Sequence, residues 1–282
     1  MKKTSKIVAV VVSALLVVAA LFVLAACGTK LTGEAKYENT WVQGAYYGAK
    51  VDVTVKGDTI TAVRLYTDEE TGWTRTSASW TEGQHAGDLG FEKTEAKYDE
   101  WIEETFVGAD IADVLSWSAS ATVGGQTVGS GVAHITGATQ SSARIICAVQ
   151  NALEQIDGIK KVVGEYNYES YGHTYGAKVN VYLRDGKVLA VKLLQDDETG
   201  WVRTTESWVE GTPAGSLGFA KAEAAYAEWI QKTFVGKTVE EVNAYSASKD
   251  DWSISDGAKL AGATQSAVRI VLAVQNALSK LA

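Results

Sequence analysis

The chain is poor in the residues that usually pin loops and staple small folds. Its 282 residues include one proline, two cysteines, three histidines and one methionine. With Pro213 as the sole proline, turns must depend on glycine and on Asp or Asn side chains. Cys27 falls in an N-terminal leader, so Cys147 is the only other cysteine and no intrachain disulfide is expected. Cys147 lies in a helical pattern, where it reads as a small buried apolar residue. His85, His134 and His173 show no ligand spacing, so metal chemistry is unsupported. No nucleophile–base pair recurs, and no catalytic residue is assigned. Positive charge is also short: 26 Lys and Arg stand against 34 Asp and Glu, a net charge of −8. Such a chain offers no basic face to nucleic acid.

One long apolar run is present, at the start. Lys2, Lys3 and Lys6 precede an uncharged stretch from Ile7 to Ala26. That is a secretion-signal pattern, also long enough for an uncleaved anchor. Leu24-Ala25-Ala26-Cys27-Gly28 resembles a bacterial lipobox, in which the cysteine becomes the lipidated first residue of the mature protein. The expectation is a signal peptide over 1–26, lipidation at Cys27 and a polar tether over 27–40. Two acyl chains suffice for stable membrane attachment, here on the extracytoplasmic face of the cell membrane. Cleavage leaves 23 basic and 34 acidic residues, a net charge of −11.

The remainder says nearly the same thing twice. Thr71 to Gly108 and Thr199 to Gly236 are identical at 25 of 38 positions without a gap. A repeat of about 125 residues is a small domain, longer than a solenoid unit. Domain one is placed at 41–156, a connector at 157–164, and domain two at 165–282. The copies align at an offset of 128 residues up to Gly236 and of 125 from Gly262. Two copies of one site suggest a relay or a two-ligand carrier.

Each copy opens with a valine-rich hairpin. Val51, Val53 and Val55 alternate before Gly57-Asp58; Val179, Val181 and Leu183 alternate before Asp185-Gly186. Helical spacing follows in Tyr98, Trp101, Ile102 and Phe106, and in Tyr226, Trp229, Ile230 and Phe234, which read as core. Thr238 with Glu241 predicts a capping box. Each copy ends on an apolar helix that starts at Gly137-Ala138-Thr139-Gln140-Ser141 or Gly262-Ala263-Thr264-Gln265-Ser266. The expected fold class is α+β: two tandem homologous small domains, each an antiparallel sheet with packed helices. The acidic clusters Asp68-Glu69-Glu70 and Asp196-Asp197-Glu198 read as solvated turns.

The Gly-Ala-Thr helix starts carry the chemistry. Glycine permits a tight turn, alanine keeps the approach small, and threonine sets a hydroxyl among first-turn N–H groups that lack intrahelical partners. Such an end favours a phosphate, and Ser141 and Ser266 could add donors. Ordinary N-capping by threonine is the plain alternative.

Thr136-Gly137-Ala138-Thr139-Gln140-Ser141, entering an Ala-Val-x-x-Ala-Leu helix, resembles the end of the FMN-binding domain. That domain occurs in the C and G subunits of Na+-pumping quinone reductases and Rnf complexes, and in bacterial lipoproteins. The resemblance implies FMN held through a phosphoester at Thr139 and at Thr264. It also places Glu70-Thr71-Gly72-Trp73 and Glu198-Thr199-Gly200-Trp201 near the flavin. Trp73 and Trp201 would pack on the isoalloxazine or serve as core. Arg75 and Arg203 would reach phosphate or flavin, or form structural ion pairs. Gln140 and Gln265 sit beside the attachment threonines. The copies depart from the family pattern differently: Val132-Ala133-His134 lacks an acid, while the second copy has Asp256 but Ala261 in place of Thr136.

The chain also resembles the two-flavin lipoproteins of Gram-positive extracellular electron transfer. That implies a redox carrier matured by an FMN transferase. It would be fed by a membrane quinol-linked donor and deliver electrons to another flavoprotein or an external acceptor. The alternative is a duplicated surface module that binds a ligand or partner and has lost flavin.

Overall fold

The computed structural model describes residues 28–38, 46–70, 73–76, 95–122, 125–129, 132–135, 138–170, 172–198, 201–204, 223–260 and 263–281. The expected signal peptide, 1–26, and Cys27 lie outside these. Among the described residues the protein mixes antiparallel sheets with six α-helices.

In the first half, β1 (Thr29–Glu38), β2 (Tyr46–Lys56), β3 (Thr59–Glu70) and β4 (Trp73–Thr76) form one sheet in that order. Helices α1 (Glu95–Phe106) and α2 (Ile111–Ser116) follow, then the hairpin β5 (Ala119–Thr122) and β6 (Gly125–Val128), and the long helix α3 (Thr139–Leu153). In the second half, β7 (Lys160–Ser170), β8 (His173–Arg184), β9 (Lys187–Glu198) and β10 (Trp201–Thr204) form the matching sheet. Helices α4 (Glu223–Phe234), α5 (Val239–Asn243) and α6 (Thr264–Ser279) complete the chain.

The hairpins form where alternation placed them. Val51, Val53 and Val55 turn inward and are buried, opposite Leu65, Val63 and Ile60. Val179, Val181 and Leu183 face Leu193, Val191 and Val188 in the same way. The register shifts at corresponding points too, between Lys50 and Val51 and between Lys178 and Val179. Asp185 and Gly186 both adopt positive φ, as a two-residue hairpin turn requires. The aromatic helix residues are core as expected, with Tyr98, Phe106, Tyr226 and Phe234 buried. The capping box at Thr238 and Glu241 forms.

The expected tether and connector are corrected by the structure. Residues 29–38 form β1, and 160–164 begin β7, each an edge strand over which the long helix lies. The inward positions of β1 are Leu31, Gly33 and Ala35. They are small because α3 passes close, so hydrophobic alternation is faint. A Cβ on Gly33 would fall 1.9 Å from the Ala148 carbonyl oxygen, and one on Gly164 2.0 Å from that of Ala273.

The outer faces of the two sheets meet different fates. Corresponding positions carry Asp52, Thr54 and Arg64 in the first sheet, but Asn180, Tyr182 and Lys192 in the second. The second face packs on α2 and α3, and Tyr182 and Ala190 join the first half's core. The Lys192 ammonium, buried, donates to the Ala119 carbonyl and to Gln150 Oε1, each at 2.8 Å. Burial lowers its pKa. Tyr182 Oη donates to Glu154 at 2.8 Å; burial first, then the Glu154 carboxylate, pushes the phenol's pKa up.

The first face instead carries a polar network. Asp52 accepts from Thr32 Oγ1 at 2.7 Å and from Tyr66 Oη at 2.5 Å, and pairs with Lys30 Nζ at 2.6 Å. Burial works to raise the Asp52 pKa, but hydrogen bonds from Lys30, Tyr66 and Thr32 outweigh it and bring it to about 2.

Two outcomes follow. Gly33→Ala or Gly164→Ala should cost about 1–3 kcal/mol in urea unfolding, because the obstacle is helix backbone rather than a side chain that can swing aside. The depressed Asp52 pKa contributes stability that is complete above the ordinary value of 3.8 and is lost as pH falls towards about 2. Asp52→Asn should therefore flatten the stability curve over that window; an unchanged slope would remove Asp52 from the account.

Candidate functional site

The long helices begin at residues that cannot cap them. Ala138 and Ala263 are the N-cap residues, at φ −134° and −141°, and neither has a side-chain acceptor for first-turn N–H groups. Thr139 and Thr264 are the first helical residues of α3 and α6, half-buried and exposed respectively. Gln140 is exposed and Gln265 half-buried. The first half adds a clamp behind this turn: Ser142 Oγ accepts from Ile135 N at 2.9 Å and donates to the Ala138 carbonyl at 3.1 Å. Its counterpart in the second half is Ala267, so that clamp is absent there.

What fixes each helix start is a buried ion pair. Arg144, one and a half turns into α3, donates from Nε to Asp68 Oδ1 at 2.7 Å, and Nη2 lies 2.6 Å from the same oxygen. Nη2 also donates to Ser141 Oγ at 2.9 Å and Nη1 to Gln126 Oε1 at 2.6 Å. Both charged side chains are fully buried. Arg269 repeats this with Asp196 Oδ1, at 2.9 Å from Nε and 2.7 Å from Nη2, and with Ser266 Oγ at 3.0 Å. Burial disfavours the Arg269 charge, but the Asp196 carboxylate more than compensates and raises its pKa. Each pair ties the start of a helix to the strand that leads into the Glu-Thr-Gly-Trp segment.

The structure thus gives several residues a role that patterning did not. Asp68 and Asp196, expected in solvated turns, are buried. A carboxylate at that depth requires a partner, and the arginine supplies it. Ser141 and Ser266, expected to add donors for an anion, are fully buried and hold the guanidinium instead. Asp256 is exposed and pairs with Lys259 rather than facing the helix start. The signal for the pair was available: an arginine on an apolar helix and an aspartate on β3 or β9 recur in both copies.

Other expected site residues are placed only in part. Glu70 pairs with Trp73 and Glu198 with Trp201 across their hairpins, which is backbone register alone. Arg75 and Arg203 lie opposite Asp68 and Asp196 in the same registers. Thr71, Gly72, Thr136, Gly137, Thr199, Gly200 and Gly262 lie outside the described residues.

A helix start without a side-chain cap and with a threonine hydroxyl in its first turn, held from behind by a buried guanidinium, makes a donor set for a phosphate monoester. Residues 46–154 match the FMN-binding domain family. The matched segment runs from β2 to the end of α3 and includes Asp68, Thr139 and Arg144. The match supports FMN as the cofactor, and this donor set fits its phosphate. No curated protein and no solved structure matches the chain.

Removing the carboxylate partner should be costly. Asp196→Ala leaves the Arg269 guanidinium buried beside no anion, and should lower unfolding stability by about 3–5 kcal/mol. Asp256→Ala, on an exposed pair, should leave the urea midpoint where it is. Equal effects of the two substitutions would refute a pinning role for Asp196.

Proposed function

We propose that the protein is a lipid-anchored, extracytoplasmic electron carrier with one FMN in each half. Each flavin is joined by a phosphoester, the first to Thr139 and the second to Thr264. The observation that carries this reading is the FMN-binding family match over residues 46–154, which contains the uncapped helix start at Thr139. The second half supports it by correspondence: α6 starts at Thr264 behind the same Ala, with the same buried Arg–Asp–Ser arrangement.

In this reading the chain's own work is binding and orientation. First-turn N–H groups and the helix dipole receive the phosphate, and the threonine oxygen provides the ester bond. Arg144 and Arg269 hold the first turn in place without leaving the interior. The Glu-Thr-Gly-Trp turns, at the ends of β3 and β9, flank the flavin. FMN supplies the electron-transfer chemistry when bound.

The lipobox at Cys27 supports attachment to the outer face of the membrane. Membrane attachment accords with electrons arriving from a membrane quinol-linked donor and leaving to another flavoprotein or an external acceptor. An FMN transferase would complete maturation after export. Two sites on one tethered chain shorten each hop between donor and acceptor.

Intact-mass analysis tests this directly. The chain coexpressed with an FMN transferase and exported should carry two flavin phosphates. Thr139→Val and Thr264→Val should each remove one. A colourless product with no added mass would overturn the carrier and favour a duplicated surface-binding module; one flavin, lost only in Thr139→Val, would confine the function to the first half.

A further inference from the structure

The two halves share the pinned arginine but close differently around it. The closing residue comes from a short hairpin in each. In the first half Ala119 pairs with Val128, and in the second Ala247 bridges Ile254. Two residues before the end of each pairing stand Gln126 and Trp252. Gln126 accepts from Arg144 through its amide oxygen. Trp252 makes a different contact: its ring meets Tyr168 edge-on, with centroids 5.4 Å apart and planes at 63°. Tyr168 in turn stacks on Tyr175, with centroids 5.4 Å apart and planes at 20°.

Tyrosines occupy the same register in both sheets. Tyr37 faces Tyr47 in β1 and β2 at the register where Tyr168 faces Tyr175 in β7 and β8. The hairpin residue is what differs, and in the second half its placement is built in. Trp252 sits at φ 57°, in the left-handed region that a bulky side chain adopts only when its surroundings hold it there. The loop does so: Ser248 N donates to the Ser253 carbonyl at 2.9 Å, Ser253 N to Asp251 Oδ1 at 3.0 Å, and Ser255 N to the Ser246 carbonyl at 2.9 Å.

We propose that Trp252 is the specificity-determining residue that makes the two flavin sites unequal: with Tyr168 and Tyr175 it lines the second site with an electron-rich aromatic wall, where the first site has the Gln126 amide. This rests on the proposed flavin attachment at both threonines. β7 runs antiparallel along α6: Lys280 Nζ donates to the Val163 carbonyl, Glu165 N donates to Asn276 Oδ1, and Gly164 lies against the Ala273 carbonyl, so Tyr168, further along the same face of β7, stands level with the first turns of the helix that begins with Thr264. Aromatic rings favour offset or edge contact with a flat partner and exclude water from it. An indole or phenol close to an excited flavin also quenches its emission. Trp73 and Trp201 stand in corresponding places in the two halves, so Trp252 is the additional quencher and the second flavin is the dimmer one.

The test uses the full chain loaded with FMN by coexpression. Thr139→Val isolates the flavin at Thr264, and Thr264→Val isolates the one at Thr139. Emission per bound flavin, normalised by flavin absorbance, should be several-fold lower at Thr264. Adding Trp252→Gln to the Thr139→Val chain should brighten it, and adding Gln126→Trp to the Thr264→Val chain should dim it. The gain of quenching in the second exchange does not depend on the loop around residue 252 surviving substitution. Equal emission from the two sites, or neither exchange shifting emission, overturns this inference and leaves the carrier reading intact. Flavin absent from Thr264 overturns both the second site and this assignment.

Discussion

Everything at the candidate site depends on one interaction, the buried arginine–aspartate pair that joins a helix to the sheet beneath it. A helix lying on a sheet through small residues can slide along its own axis at little cost, because Gly33 and Ala35 offer it a smooth bed. A fully buried guanidinium removes that freedom. Its charge cannot be left uncompensated in a low-dielectric interior, so Asp68 or Asp196 sets where along the strand the helix must stop. The threonine lies five residues before the arginine, about 7.5 Å along the axis at the helical rise. The position of the hydroxyl is thus inherited from a fully buried pair behind it.

The contact between the halves shows the same scaffold meeting two environments. Where the first sheet carries a polar network around Asp52, with Thr54 half-buried and Arg64 exposed, the second buries Asn180, Tyr182 and Lys192 against α2 and α3. The exchange of arginine for lysine suits the change. Lys192 finds two uncharged oxygens, from Ala119 and Gln150, that a compact ammonium can satisfy together. Gln150 is available for this because its amide nitrogen is already committed to the Val114 and Trp117 carbonyls. Gln275 makes the matching pair of bonds, to Val242 and Tyr245, on a surface that is only half covered. One glutamine is therefore a structural device within each half and, in the first half alone, also part of the joint.

Much of this architecture was legible in the sequence, and the part that was not has a physical reason. The β2–β3 and β8–β9 hairpins, the aromatic helices, the Thr238 capping box and the starts of α3 and α6 all follow from local periodicity or turn chemistry, and the structure places them there. The edge strands β1 and β7 escaped because their inward positions are kept small by a helix that is distant in sequence. The aspartates escaped for a related reason. Asp68 sits beside two further acids, a pattern that reads as solvent, and its burial is decided by an arginine 76 residues away. Among the expected site residues, Thr139 and Thr264 stand at the helix starts. Ser141 and Ser266 face inward, because a buried guanidinium needs more acceptors than one carboxylate oxygen.

Corresponding positions in the two halves are of two kinds. Arg144, Asp68 and Ser141 have identical counterparts because each is buried with the others, and changing one strands the rest. Gln126 and Trp252 occupy half-buried hairpin positions at the edge of that set, where Gln126 adds an acceptor for Arg144 and Trp252 adds a ring contact with Tyr168. Ser142 and Ala267 differ for the same reason: the hydroxyl that clamps the turn before α3 is an addition to the pin, not a part of it. With the anchor common to both halves, the two helix starts keep the same setting while the surroundings of each diverge. The difference between the surroundings of the two helix starts therefore requires no change in the scaffold itself.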